Sequence, residues 1–566
     1  RPPAPLRCGR LSLCRPLDTS GWIADHRRNP RPWSPHGEIL IDDIQVVEDP
    51  DGQGAFLVNN SAFQPSLFGG TSLRRWRLRG NHRHSEVVPD PDDPNNQVLR
   101  LVATGPAGHM HNHIETTLAG GVRISNGTTY EFRFRARALS GTPQLHTRLY
   151  FNRLAKKHIL TTLAGGGTPG QPNSQLVSNL GPTLDDLTHH PAVPRPNETT
   201  RIEIAAADPD GIGNVTLHWS TDGADFQESA MNLEGDRYSA SVPAQQADAI
   251  IQFYVEATDS EGAVSQYPRE GADSRALFSV LDDDQLGNDR LHHLRIIMHP
   301  DDVDWLHESI NLMSNDRVPA TVIYREKEIF YNVGVRLKGS ERGRVTVPRL
   351  GYNVKFPKQQ QFRGVHETVA IDRSEGVGFG QFEILFNQMM THSGGIPAEH
   401  NDLVQVIAPR SQYTGPAELQ LARYGDLFLE TQFEDGDEGN LYEYELIYYP
   451  TTDDADGYKR PNPDSVVGTP VRSLGDDSES YRWNYELKNN RRRDDYAPIV
   501  AYTKLFSLSN DAFLEALPEL VDVDRWLQGM GLALLSGAGD QYGANSQHNG
   551  MFYQMPNGKF TYFPHD

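Results

Sequence analysis

Asp540, Asn545 and Asp566 are the residues of this chain whose types and spacing best suit phosphoryl transfer. A carboxylate beside a substrate hydroxyl orients it and accepts its proton. An amide oxygen and a second carboxylate then hold Mg2+ across nucleotide phosphates, where hard oxygen ligands are required. Four residues separate Asp540 from Asn545, the interval that sets a base and a metal ligand on one loop in such sites. Asp, Asn and Gly are also what turn chemistry selects, so a polar connecting loop accounts for the same letters.

Several elements must position these groups. Met551-Phe552-Tyr553, the turn Pro556-Asn557-Gly558 and Lys559 to Phe563 read as a hairpin that returns Asp566 beside Asp540. Ala497 to Leu508 and Val521 to Leu535 carry helical patterning with breaks at Pro518 and Gly537, a helical lobe that presents the Asp540 loop. Upstream, Tyr331 to Ser340 alternates apolar and polar residues and ends in Gly-Ser, a strand delivering Lys338 to a tight turn, with Tyr352 to Phe356 as the returning strand. Lys338 is then either a phosphate ligand or one more solvated strand lysine. The run Gln381 to Met390 predicts a helix with Phe382, Leu385, Phe386 and Met389 on its apolar face and Glu383 beside that stripe. Glu383 is the candidate partner of Lys338, and an unpaired surface glutamate is the plainer alternative.

From about Leu291 onward the chain resembles the spore-coat protein H (CotH) family of atypical kinases. The likeness rests on Leu294-Arg295-Ile296-Ile297-Met298, Asp301 to Leu306, Gly334-Val335-Arg336-Leu337-Lys338-Gly339-Ser340 and the Glu383 helix running to Gly395-Ile396-Pro397. It continues with Leu427-Phe428-Leu429-Glu430, Gly439-Asn440-Leu441-Tyr442, Val521 to Trp526 and the block from Asp540 to Asp566, in the same order. The resemblance implies an α+β kinase-like fold and ATP-dependent transfer of phosphate to Ser or Thr of a protein. It makes Asp540 the base, Lys338 the phosphate ligand, and Asn545 and Asp566 the Mg2+ ligands. No Gly-x-Gly-x-x-Gly occurs near Lys338, so the cradle is expected from Gly339, Ser340 and Arg342, with Glu383 and Glu430 completing the nucleotide side. The family's segment runs on beyond the Pro564-His565-Asp566 match, so the domain is expected to be incomplete at its C-terminal end. A non-catalytic adhesion, coat or matrix protein with a degenerate kinase-like domain is the competing reading.

Composition bounds the rest. At 566 residues and 37% hydrophobic content, several domains are expected, each with its own core. A formal charge of −22 disfavours generic binding to nucleic acid or anionic membrane, both of which reward positive charge. No run approaches the length of a membrane helix, and the chain opens on Arg1-Pro2-Pro3, as an internal fragment would. Secretion or display at the cell surface is the expected location. Cys8 and Cys14 stand alone near the start, which excludes a disulfide scaffold for the main body.

Ahead of the kinase-like part the patterning is β-rich. Glu38 to Val47 reads as the last strand of a preceding module, a remnant over 1–50. Residues 51–180 form a β-sandwich with strands at Val98 to Val102 and Tyr130 to Arg137, where Phe132, Phe134 and Ala136 alternate against Arg133, Arg135 and Arg137. With Leu57 to Phe63, Trp76 and Ile41-Asp42-Asp43-Ile44, this region resembles jelly-roll carbohydrate-binding modules, which implies a glycan or cell-surface polymer as partner. His109, His111, His113 and Glu115 share one strand face, a divalent-metal set or a row of polar-face side chains; alternate strand residues lie about 7 Å apart, so one strand rarely gathers them on one ion. Acidic turns such as Asp90-Pro91-Asp92-Asp93 suit Ca2+, and turn formation explains them equally. Residues 181–198, with the Gly/Pro-rich stretch before them, read as linker, and Asp282-Asp283-Asp284 as a solvated connection. Between them, 199–281 looks like an immunoglobulin or fibronectin type III sandwich, with Val215, Leu217 and Trp219 on one strand and Ile251, Phe253, Val255 and Ala257 on another. The kinase-like domain is placed at 287–566. Arg491-Arg492-Arg493 is followed by Asp494 and Asp495, so a salt-bridged loop is favoured over an anion site.

Overall fold

The computed structural model describes residues 37–564 except 52–53, 65–72, 106–111, 123–127, 150–153, 161–176, 282–290, 340–349, 373–380, 422–423, 445–446, 450–464, 468–470, 483, 492, 540 and 543–547. The chain is a multidomain, β-rich protein with few helices.

The first unit is built on a five-stranded antiparallel sheet. Gly37–Glu48 lies at its centre, paired with Asp93–Ala103 on one side and with Tyr130–Ser140 on the other. Ile39, Ile41 and Ile44 enter the same core as Leu99, Leu101, Phe134, Leu145 and Leu160. The strand expected to close a preceding module therefore belongs to this one, because its apolar face is buried against the strands of this unit. Trp76 packs on Phe63 and donates its indole N–H to Asn60 O at 3.0 Å.

The second unit is a sandwich of two antiparallel sheets, one ordered Thr183–His190, Thr200–Ala207, Arg237–Val242 and Asn232–Glu234, the other centred on Ile212–Thr221 and Ile250–Asp259. The alternating residues singled out from the sequence, Val215, Leu217 and Trp219 with Ile251, Phe253, Val255 and Ala257, fill its core. Thr183–His190 lies inside the stretch expected as linker. Its pairing with Thr200–Ala207 and the burial of Leu187 and His189 make it an edge strand.

Next comes a closed seven-stranded barrel made of His293–Ile297, Val318–Tyr324, Glu328–Lys338, Gly351–Lys355, Thr368–Asp372, Gly415–Leu421 and His400–Ile407. One junction, His293–Ile297 with His400–Ile407, is parallel. Ile296, Val322, Val335, Leu337, Tyr352, Val354, Ile371, Val404 and Leu419 fill the inside, and each large apolar side chain so buried contributes about 1.5–3 kcal/mol. Tyr331, on the outer face of this barrel, inserts into the sandwich core and hydrogen-bonds His189 Nδ1 at 2.5 Å.

The last unit is a four-stranded sheet ordered Tyr485–Leu487, Asn440–Tyr444, Gly550–Gln554 and Phe560–Pro564, covered by Ala497–Lys504, Asn510–Leu520 and Val523–Ser536. Its core is aromatic: Tyr442, Tyr444, Tyr485, Tyr502, Trp526, Phe552, Phe560 and Tyr562 interlock. The predicted terminal hairpin is present as Gly550–Gln554 and Phe560–Pro564 in register. Pro518 does not break the chain where expected; Asn510–Leu520 runs through it in its last turn, where the missing N–H removes one backbone bond. Gly537 does end its helix, at φ 79, a left-handed C-cap that glycine adopts without strain.

Candidate functional site

Lys338 is the last residue of Glu328–Lys338, and Gly339 follows at φ 101, the tight turn the sequence predicts. Because Leu337, Ile371 and Leu419 point into the barrel, their neighbours Lys338, Asp372 and Glu418 point outward. Lys338 stands opposite Gly351, Gly351 beside Asp372, and Asp372 opposite Glu418. Gly351 carries no side chain, so the Lys338 ammonium reaches over it and ion-pairs with the Asp372 carboxylate. Lys338 is 7% exposed and Asp372 2%, so this is a buried pair and not a solvated strand lysine.

The Gln381–Ser393 helix covers this flank, turned differently from the expected orientation. Glu383, Phe386, Asn387 and Met390 face inward, whereas Phe382 and Leu385 are 61% and 58% exposed. The barrel flank beneath is polar and selects the polar stripe. Gln420 Nε2 donates to Glu383 Oε2 at 2.9 Å, and Asn387 Oδ1 accepts from the Glu399 N–H at 3.2 Å. Glu383 therefore sits on the same flank as Lys338, held by Gln420, while the ion pair of Lys338 is with Asp372. Asp372, Glu399, Glu418 and Gln420 went unnoticed in the sequence. The available signal was the row of Asp372, Glu418 and Gln420 at polar positions of otherwise apolar strands.

At its far end the same helix packs on the helical lobe, where Phe386 and Met390 share a core with Leu532 of Val523–Ser536 and with Phe428, Met551 and Phe563. Val523–Ser536 leads to the Asp540 loop. Asp540 and Asn545 lie outside the described residues, as do Ser340, Arg342 and Asp566. Their described neighbours are fixed: Gln541 is buried and accepts from Tyr562 Oη at 2.9 Å, and Tyr542 packs between Trp526, Phe552 and Tyr562. Glu430 is exposed on Asp426–Gln432. Its surroundings are acidic: partial burial first, then the charges of Asp437, Glu430 and Glu367, raise the Asp426 carboxyl above its ordinary value.

In the first unit Glu115 is committed to arginine. Its Oε1 accepts from Arg77 Nη2 at 2.7 Å and from Arg79 Nε at 3.2 Å, and His113 Nε2 lies 3.4 Å from Oε2. His109 and His111 lie outside the described residues. The Asp90 turn is likewise engaged: burial would raise the Asp90 carboxyl, but the Asp92 N–H, the Asn96 amide and the Arg135 and Arg137 guanidinium groups hold it below its ordinary value. Among the described residues only Asp208, Asp210 and Asp259 bring three carboxylates together, with ligand oxygens within 4.8 Å of one another. Asp208 and Asp210 follow Thr200–Ala207, and Asp259 is the last residue of Ile250–Asp259. Arg491 and Arg493 pair with Glu486 and Glu438 at 3.3 and 3.0 Å. No helix among the described residues is long and apolar enough to cross a membrane.

No protein-family model and no curated protein matches the chain. Solved structures that do match include the Br derivative of BhCBM56, a carbohydrate-binding module, at 11% identity over 14% of this chain and 91% of that one, with a TM-score of 0.12. A cycloalternan-forming enzyme from Listeria monocytogenes, in complex with a pentasaccharide substrate, matches at 10% identity over 33% of this chain and 17% of its own, TM-score 0.14. A cycloalternan-degrading enzyme from Trueperella pyogenes matches at 12% over 38% and 35%, TM-score 0.13. The chain thus spans well under two thirds of both enzymes. Likenesses at these scores carry no argument about activity.

Proposed function

We propose that the protein is a secreted or surface-associated atypical protein kinase that transfers the ATP γ-phosphate to Ser or Thr of a protein, with its β-units serving as anchors. The observation that carries this reading is the burial of Lys338 at a strand end, in an ion pair, on the barrel flank covered by the Glu383 helix. That helix packs on the one leading to Asp540. In this reading Asp540 accepts the hydroxyl proton, Lys338 and the Gly339 turn with Ser340 and Arg342 meet the phosphates, and Asn545 and Asp566, both oxygen donors, would hold Mg2+. The Mg2+ supplies charge neutralisation on the transferring phosphoryl group. Glycan or cell-surface polymer binding by the first unit, and Ca2+ in the β-units, are further parts of the same proposal.

One observation favours a second reading. The Lys338 ammonium is already neutralised by Asp372 in a dry setting, as a purely structural lysine would be, which fits a non-catalytic adhesion or coat protein with a degenerate kinase-like domain. Transfer of label from γ-labelled ATP to a Ser/Thr-rich protein acceptor in Mg2+, lost in Asp540→Ala and in Lys338→Ala, is the expected result. Absence of Mg2+-dependent ATP binding by the native full-length chain in calorimetry would leave the second reading.

A further inference from the structure

We infer that the first β-unit braces the barrel and the helical lobe against each other, fixing their separation. Two anchorages support this. At the barrel, the Asp316 side chain is fully buried just ahead of Val318–Tyr324; it is paired with Arg83 and accepts from Thr104 Oγ1 at 2.6 Å. Asn112 accepts the Asn315 N–H at 2.8 Å and donates to Met313 O at 3.3 Å. The Arg83 guanidinium lies 3.9 Å above the Trp305 ring.

At the helical lobe the contact comes from the hairpin Gln144–Leu149 and Leu154–Ile159. Lys157 pairs with Asp494, and His146 Nδ1 stands 4.0 Å from Glu479 Oε2. On the lobe side Arg482 ties these two acids together, at 2.9 Å to Asp494 and 3.0 Å to Glu479. Leu145 and Leu160, both at the open end of the hairpin, are buried in the same core as Ile39, Leu99 and Phe134. The hairpin, a two-stranded sheet of its own, therefore shares its core with the sheet that bears the other anchorage.

A single-core body bonded to two others fixes the distance between them. The lobes also meet directly at Met390, Phe428 and Phe563, so opening or closing about that contact must part Asp494 from Lys157, with Arg482 still on it, or leave the buried Asp316 without Arg83, and the second is strongly disfavoured. The brace is independent of the proposed reaction.

The test is a distance measurement. Spin labels at Glu328→Cys on the barrel and Glu515→Cys on the helical lobe, both exposed, are introduced with Cys8→Ser and Cys14→Ser. Their separation is read by pulsed electron double resonance. One narrow distribution is expected in the otherwise native chain. Arg83→Ala with Lys157→Ala should at least double its width, and Lys157→Arg should keep it narrow. A double variant with the native distribution overturns the brace. Should the double variant not fold, Lys157→Gln alone, which alters one anchorage at a partly exposed side chain, carries the same comparison with the same two outcomes.

Discussion

Lys338 and Asp372 are joined across the bare backbone of Gly351, two strands apart, by a buried ion pair. A Cβ at Gly351 would lie 2.6 Å from Ile371 O and 3.3 Å from Lys338 Cβ, and the first of these is backbone. Gly351→Val is expected to cost about 1–3 kcal/mol through overpacking and to displace the ammonium. Asp372→Asn, which removes one charge of a buried pair, should cost about 3–5 kcal/mol. Denaturant midpoints of the two variants against the native chain check both.

His189 gives the stability a defined pH dependence. Burial first, and then the charge of His190, depress its pKa to about 4 from the 6.5 of a free imidazole. Between those values the unfolded chain binds the proton and the folded chain does not, so the contribution is complete above about 6.5, falls with pH, and is gone below about 4. The loss amounts to about 3 kcal/mol at most. The unfolding temperature should fall accordingly from pH 7 to 4, and His189→Phe should flatten the part assigned to this residue.

Lys355 acts in the same sense at higher pH. Its pKa is lowered to about 8, by burial first and then by Arg317, with Glu367 only partly offsetting them. The unfolded side chain keeps its proton up to about 10.5, so folding strips affinity for a proton and the charged form is a burden at neutral pH. Lys355→Met is expected to raise stability at pH 7 by about 1–3 kcal/mol, an advantage that vanishes above pH 10.5. Denaturation at pH 7 and pH 10 compares the two.

The orientation of the Gln381–Ser393 helix is testable by polar substitution. Phe382→Gln and Leu385→Gln, at exposed positions, should change stability by less than about 0.5 kcal/mol. Met390→Ala, at a fully buried one, should cost about 2–5 kcal/mol. A large loss at Phe382 would return the helix to the face that its sequence suggests.

That helix marks where reading the sequence stops. Strands with one wet face were legible because period-two alternation survives in the letters: Val215, Leu217 and Trp219, or Phe132 and Phe134, bury as their spacing says. The Tyr331 to Lys338 strand, its Gly339 turn and the terminal hairpin were legible for the same reason. Periodicity assumes an apolar partner, however, and the barrel flank under Gln381–Ser393 is lined by Asp372, Glu418 and Gln420, so Glu383 and Asn387 are the residues that fit it. Gly37–Glu48 and Thr183–His190 were assigned to the wrong side of their boundaries because strand identity is local while pairing is not. The Lys338 partner was illegible too, since it depends on which residue a glycine leaves reachable.

The hydrogen bond from Tyr562 to Gln541 links the chain just after Asp540 to the strand that ends two residues before Asp566. One phenolic hydroxyl thus couples Gln541 to the last strand, so that a drift in either is transmitted to the other, and Tyr562→Phe is where that shared registration would come undone.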